Sequence, residues 1–380
     1  MSVVGPRVAS GETIYPRCPY PPTMPTDGPT PGPPDWDPPG DWPVVETVES
    51  HAGGEPLRVV VDGWPAVEGD TVREKRRYAA ANHDHLRTAL MLEPRGHADM
   101  YGAVPVAPDD ADADLGVLFT HNDGFSTMCG HGVIALATVL IETGMVDAAD
   151  DSRSEREDRT VRMDTPAGRV TARATVEGDQ VPEVAFENVP SFVYARDRTV
   201  DVPGIGTVPY DVAFGGAFYA YCEAEAADVG LRPEDAEDLL HAGRAIKQAV
   251  REDLEIEHPV HDDLGFLYGT IFTGPAEGEG EADSRNVCVF ADGEVDRSPT
   301  GTGVSGRLAL EADAGRLAPG EPFTVESVVG STFTGRIRDH TTCGEYDAVV
   351  PEVAGNAHVT GRSEFVLDPE DPLGEGFLLR

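Results

Sequence analysis

The sequence predicts a mixed α/β fold built from two similar halves. Strand-like segments outnumber helical ones along the chain. Two short motifs, "CGHGV" at Cys129 and "TGTGV" at Thr300, repeat one order: a thiol or alcohol, then Gly-x-Gly-Val, then a mostly apolar segment. They lie 171 positions apart, about half of the folded region, and each expected half holds a long helix before its glycine-started one.

The elements follow in order. Residues 1–43 form a Pro-rich arm, with 12 of the 32 prolines in the first 40 residues and no apolar period, so no packed structure is expected there. The first half, 44–195, opens with strands "VVETVES" and "PLRVVVDG" around a Gly-rich loop, "SHAGGEP". "TVREKRRYAAANHDHLRTALMLE" (71–93) reads as one helix ending near Pro94. "STMCGHGVIALATVLIETG" (126–144) reads as a loop entering a buried helix; its apolar run, 132–141, is too short to cross a bilayer. The acidic stretch 147–159 reads as a solvated loop, and "RVTARATV" and "VAFENVPSFVYA" as strands. In the second half, 196–380, a helix is expected over 232–253, with Pro233 suited to its first turn. Strands "LGFLYGTIFTG" and "NVCVF" precede a helix at about 301–314, and strands near the end could return the chain to the first half.

Charge narrows the partners. Asp and Glu number 68 against 29 Lys and Arg, a formal net charge of −39, and Lys occurs only at Lys75 and Lys247. Such a surface repels phosphate backbones and anionic membranes, so neither nucleic acid nor membrane is expected as a partner. The acidic excess is dispersed, which points to a halophile's cytoplasm, where salt screens self-repulsion. Five cysteines (18, 129, 222, 288 and 343) without a C-x-x-C pair argue against a disulfide framework or a zinc ribbon and fit a reducing cytoplasm. No secretory signal is evident at the start. His83 and His85, and His258 and His261, lack any metal-ligand pattern and are expected on the surface or along helices.

The two glycine motifs carry the chemistry. Gly301, Gly303 and Gly306 match the G-x-G-x-x-G spacing of dinucleotide-binding loops. That fingerprint belongs to the first strand of a βαβ unit, however, whereas this loop lies late in the chain and strand-rich sequence follows it. The more general property is that unpaired N–H groups at a helix start bind an anion, here of carboxylate size. A thiol placed there, Cys129, is expected to have its pKa lowered. The other four cysteines lack this setting and are expected to be small buried hydrophobes.

These motifs, "MCGHG" with "ALATVLIETG" and "DRSPTGTGVSGRLAL", resemble the two active-site motifs of the proline racemase family. The resemblance spans 45–368 and includes "SHAGGEPLRVV", "LMLEPRGHADMYGA", "FENVPSFV", "FGGAFYA", "DLGFLYGTIFTG" and "ESVVGSTFTGRI". It implies a diaminopimelate epimerase-like fold: two pseudo-symmetric halves, each a curved sheet around a central helix, with the site in the cleft between. It also implies a cofactor-independent homodimer acting on a small imino acid. In family members that invert Cα, both motifs begin with Cys. Here the pair is Cys129 and Thr300, which resembles the branch that dehydrates trans-3-hydroxy-L-proline. By that resemblance Cys129 is the base at Cα and Thr300 its opposite number. His131 and Asp296 face the ring nitrogen, and the N–H groups of Gly130, Gly301 and Thr302 hold the carboxylate. The alternatives are a proline racemase or 4-hydroxyproline 2-epimerase, and an imino-acid binder without turnover.

Overall fold

The computed structural model describes residues 36–146, 157–277, 280 and 282–379. Cys18, most of the Pro-rich arm and residues 147–156 of the expected acidic loop lie outside this range. Residues 157–159 of that loop are corrected: they open the strand Glu157–Thr165.

Trp42–Arg380 is one compact unit in which the same winding occurs twice. In the first occurrence the strand Glu55–Asp62 lies parallel to Gly102–Val106. Gly102–Val106 is antiparallel to Leu115–Thr120, which lies parallel to Glu157–Thr165. In the second, Phe218–Glu223 lies parallel to Leu267–Gly274, which is antiparallel to Ser284–Phe290, itself parallel to Phe323–Glu326. Parallel neighbours need a crossover, and helices supply it each time. Val72–Asn82 with Asp84–Met91 and then Gly130–Glu142 serve the first half; Ala236–Asp253 and then Gly301–Asp313 serve the second.

The expected single helix over 71–93 is two. Thr71 and Glu74 close a capping box at the start, and the chain breaks at His83, whose φ of −128° and ψ of 16° leave the helical range. Asn82 and His83 are weak helix formers, and Asp84 starts the next helix with its carboxylate on Arg87 at 2.6 Å. The Gly-rich loop near residue 53 is shorter than expected. Strands Val44–Ala52 and Glu55–Asp62 meet at Gly53 and Gly54, both at positive φ, as a two-residue hairpin turn requires.

Two helices form the hubs. Gly130–Glu142 is buried from Gly130 through Leu140, apolar on every side, which a helix tolerates only inside a core. Val133, Ile134, Leu136, Val139 and Leu140 are each at most 3% exposed, and burial of each such side chain contributes roughly 1.5–3 kcal/mol. Gly301–Asp313 is buried along its first ten residues except at Arg307. Around it the second sheet closes on itself, because Tyr346–Gly355 pairs back onto Ser191–Val202. Tyr346–Gly355 also pairs with Gln180–Glu187, which joins the two sheets. The last strand, Ala357–Val366, runs antiparallel to Val44–Ala52 and so returns to the first half.

Candidate active site

The starts of the two hub helices meet. A Cβ built on Gly130 would stand 2.5 Å from Gly301 Cα, and one on Gly301 would stand 2.8 Å from Gly130 Cα. Only glycine permits this approach, which aims both sets of unpaired helix N–H groups into one space. That space is a pocket lined by Cys129, Gly130, His131, Asp296, Thr300, Gly301 and Thr302, together with Tyr101, Met128, Tyr219, Tyr268 and Phe290. All seven residues singled out from the sequence therefore come together. We expect Gly130→Ala to lower kcat/KM at least about 100-fold and stability by about 1–3 kcal/mol, because backbone must yield to the new methyl. Thermal unfolding and steady-state kinetics would check this, and wild-type kinetics would mean that the close approach is dispensable.

The third glycine of the G-x-G-x-x-G pattern has a packing role. A Cβ on Gly306 would lie 2.1 Å from the Tyr221 hydroxyl, which donates to the Gly303 carbonyl at 2.9 Å. The helix does link two parallel strands, but its first glycine faces Gly130 across the pocket.

The two leading residues look equivalent in sequence and differ in geometry. Cys129 has extended backbone, φ −143°, and its sulfur accepts from Gly132 N at 3.2 Å. Thr300 stands at φ +65°, a left-handed conformation that costs a β-branched residue roughly 1–3 kcal/mol. Its surroundings hold it there. Ser298 Oγ accepts from Thr300 N at 3.1 Å, and the Thr300 hydroxyl donates to Asp296 Oδ2 at 2.7 Å. Asp296 Oδ1 accepts from Ser298 N at 2.7 Å.

Burial governs the charges. The expectation of a lowered Cys129 pKa is overturned for the free protein. Burial raises it well above its ordinary value, the Gly132 N–H opposes this, and the nearby Asp296 and Glu55 carboxyls add to the rise. Burial also pushes His131 down to about 3, so the imidazole is neutral. Its Nδ1 lies 3.2 Å from Cys129 Sγ, which makes it a neighbour of the thiol and too weak a base to hold its proton. Asp296, 2% exposed, is raised to about 6 by burial against the pull of its bonds to Thr300 and Ser298.

Sequence reasoning missed several groups. Glu55 and Glu294 are fully buried carboxyls beside Asp296, and burial raises both well above the carboxylate range. Cys288 was expected to be a buried hydrophobe; it is buried, but its thiol neighbours Thr300 and Asp296. The pocket tyrosines lie in segments already quoted, "ADMYGA", "FGGAFYA" and "FLYGT", yet nothing local to a strand marks an aromatic ring as facing a ligand. Of the four histidines, His258 is buried among Phe192, Phe214 and Phe218 rather than exposed. Among the described residues no three His, Cys, Asp or Glu side chains are grouped to hold a metal ion. No helix among them is long and apolar enough to cross a membrane.

Two wound halves with facing helix starts around a small pocket define a diaminopimelate epimerase-like fold. The chain belongs to the proline racemase family, whose model matches residues 47–378. It is 46% identical over 337 residues to trans-3-hydroxy-L-proline dehydratase of Colwellia psychrerythraea, covering 89% of this chain and 93% of that protein. It is also 46% identical over 340 residues to the human trans-3-hydroxy-L-proline dehydratase, covering 89% and 95%. In structure it is similar to a hydroxyproline epimerase from Agrobacterium vitis with bound trans-4-hydroxy-L-proline, with a TM-score of 0.83 and 30% identity over 89% of this chain and 96% of that one.

Proposed function

We propose that this protein dehydrates trans-3-hydroxy-L-proline. The product is Δ2-pyrroline-2-carboxylate, which tautomerises to Δ1-pyrroline-2-carboxylate, and no cofactor takes part. The observation that carries the reading is the commitment of the Thr300 hydroxyl to Asp296 at 2.7 Å. A threonine hydroxyl is a poor proton donor in any setting, and this one already gives its proton to a carboxylate. Inversion at Cα needs a second donor on the far face, and Thr300 offers none. Elimination needs only one acid–base group.

The stereochemistry of the substrate agrees with a single sulfur. In the trans isomer the carboxylate and the 3-hydroxyl lie on opposite faces of the ring, so the Cα hydrogen and the hydroxyl share a face. The Cys129 thiol gives up its proton to solvent as the cationic ring enters; its thiolate then takes the Cα proton, the electron pair forms the Cα=C3 bond, and the C3–O bond breaks. The same S–H then returns its proton to the departing hydroxyl, releasing water and restoring the thiolate. The N–H groups of Gly130, Gly301 and Thr302 hold the carboxylate and the charge that develops on it. Asp296, and His131 from the Cys129 side, face the cationic ring nitrogen, whose charge acidifies Cα–H and favours the Cys129 thiolate on binding. Relatives that carry the dehydratase name support this reading.

Assaying the purified protein with trans-3-hydroxy-L-proline, 4-hydroxyproline and both enantiomers of proline tests it. Pyrroline formation from the first alone is expected, and full inversion of proline would overturn the reading. Thr300→Cys is expected to gain measurable Cα inversion, followed by optical rotation under reducing conditions because Cys288 lies beside the new thiol. The dispersed acidic charge supports work in a salt-rich cytoplasm, and the family resemblance supports a homodimer.

A further inference from the structure

The pocket has two sides. Thr300 shares its side with Asp296, and Thr302 takes part in a 2.7 Å bond with the Tyr219 hydroxyl. On the other side the Tyr101 ring packs edge-on to His131 at 4.8 Å, and His131 lies against Cys129. The Tyr101 and Tyr268 hydroxyls meet there at 3.3 Å. Both rings are at most 5% exposed and both line the pocket. The Tyr101 hydroxyl acts on the Cys129 sulfur as a hydrogen-bonding neighbour, and Tyr268 also senses its charge. One bond between two hydroxyls uses one of their two protons; the other has Ser126 and the Cys129 sulfur within reach, and a hydroxyl entering the pocket competes with them as its acceptor.

We infer that the Tyr101–Tyr268 hydroxyl pair recognises the substrate's 3-hydroxyl and donates a hydrogen bond to it as it leaves. The inference rests on the dehydratase reading, because the syn relation of the Cα hydrogen and the 3-hydroxyl puts the departing oxygen on the Cys129 side. The polar side-chain groups lining that side are Cys129, neutral His131 and these two phenols. Burial holds both phenols well above their ordinary pKa, so they stay protonated as donors. They donate without transferring a proton: the C3–O bond breaks, the hydroxyl takes its proton from Cys129, and water forms. A ligand with a hydroxyl at this place gains the bond, and one without it gains nothing while the phenols keep each other as partners. That makes the pair a specificity determinant for 3-hydroxylated over plain proline.

Tyr101→Phe, Tyr268→Phe and the double variant test this, because phenylalanine keeps the ring and removes only the hydroxyl. We expect kcat/KM for trans-3-hydroxy-L-proline to fall about 10–100-fold in the double variant, the range for a hydrogen bond to a charge-developing oxygen. The Kd of L-proline, measured by calorimetry, should stay within about twofold. Unchanged dehydration, or an equal loss for both ligands, would overturn the pair's role. A wild-type protein that binds both ligands without turnover would sink the dehydratase reading alone. The ratio of their Kd values in the wild type and the double variant then decides: a ratio that moves toward one supports the pair, and a constant ratio overturns it.

Discussion

Cys129→Ser should lower kcat/KM for trans-3-hydroxy-L-proline by at least about 10³-fold while leaving the fold intact. Serine keeps the branching of the side chain with a smaller atom, and the Gly132 N–H that now donates to Sγ at 3.2 Å can donate to a serine Oγ. Stability should therefore change by no more than about 1 kcal/mol. The chemistry changes far more. A thiol reaches its anion many pH units sooner than an alcohol, and burial here raises even the thiol well above its ordinary range. Serine beside neutral His131 has no partner to take its proton, since burial holds that imidazole near 3. Pyrroline release and thermal unfolding on the same sample separate the two effects. Normal turnover by the serine variant would mean that some other group removes the Cα proton.

The sequence disclosed the repeat because the repeat is built on glycine. Gly130 and Gly301 leave a visible mark, since the helix starts pack backbone to backbone and no other residue fits. The apolar run 132–141 was equally legible as a helix buried on all sides. The break at His83 was hidden because the apolar pattern continues through it, and only backbone angles disclose the turn. The direction of the Cys129 shift was misread for a related reason. Helix position is local and readable, whereas burial and the approach of Glu55 and Asp296 come from distant parts of the chain. Tyr101 and Tyr268 lie 167 positions apart, and only the joined halves bring their hydroxyls together. Thr300 was readable as the absence of a second thiol; its left-handed backbone and its bond to Asp296 were not.

Asp296→Asn is expected to lower kcat/KM at least about 100-fold and, above pH 6, to make the protein more stable. The activity loss follows from the cationic ring nitrogen, which loses its buried counter-charge and with it part of the acidity of Cα–H. In the wild type kcat/KM should rise through about pH 6 as Asp296 ionises, and the variant should lack that limb. The stability change has the opposite sign. Burial raises the folded-state pKa from 3.8 to about 6, so the unfolded chain is the more comfortable place for the charge. The stability linked to this group is fully present below pH 3.8 and is lost as pH rises through about 6. A shift of that size corresponds to roughly 3 kcal/mol at neutral pH. Asparagine carries no charge to desolvate and keeps an oxygen for the Ser298 N–H, so its Tm should exceed that of wild type at pH 8 and converge with it near pH 4. Melting curves at those two pH values, beside the kinetic profile, test both signs at once. A variant less stable at pH 8 than wild type would mean that the hydroxyl of Thr300, at its left-handed φ, depends on an ionised Asp296 more than the buried charge costs.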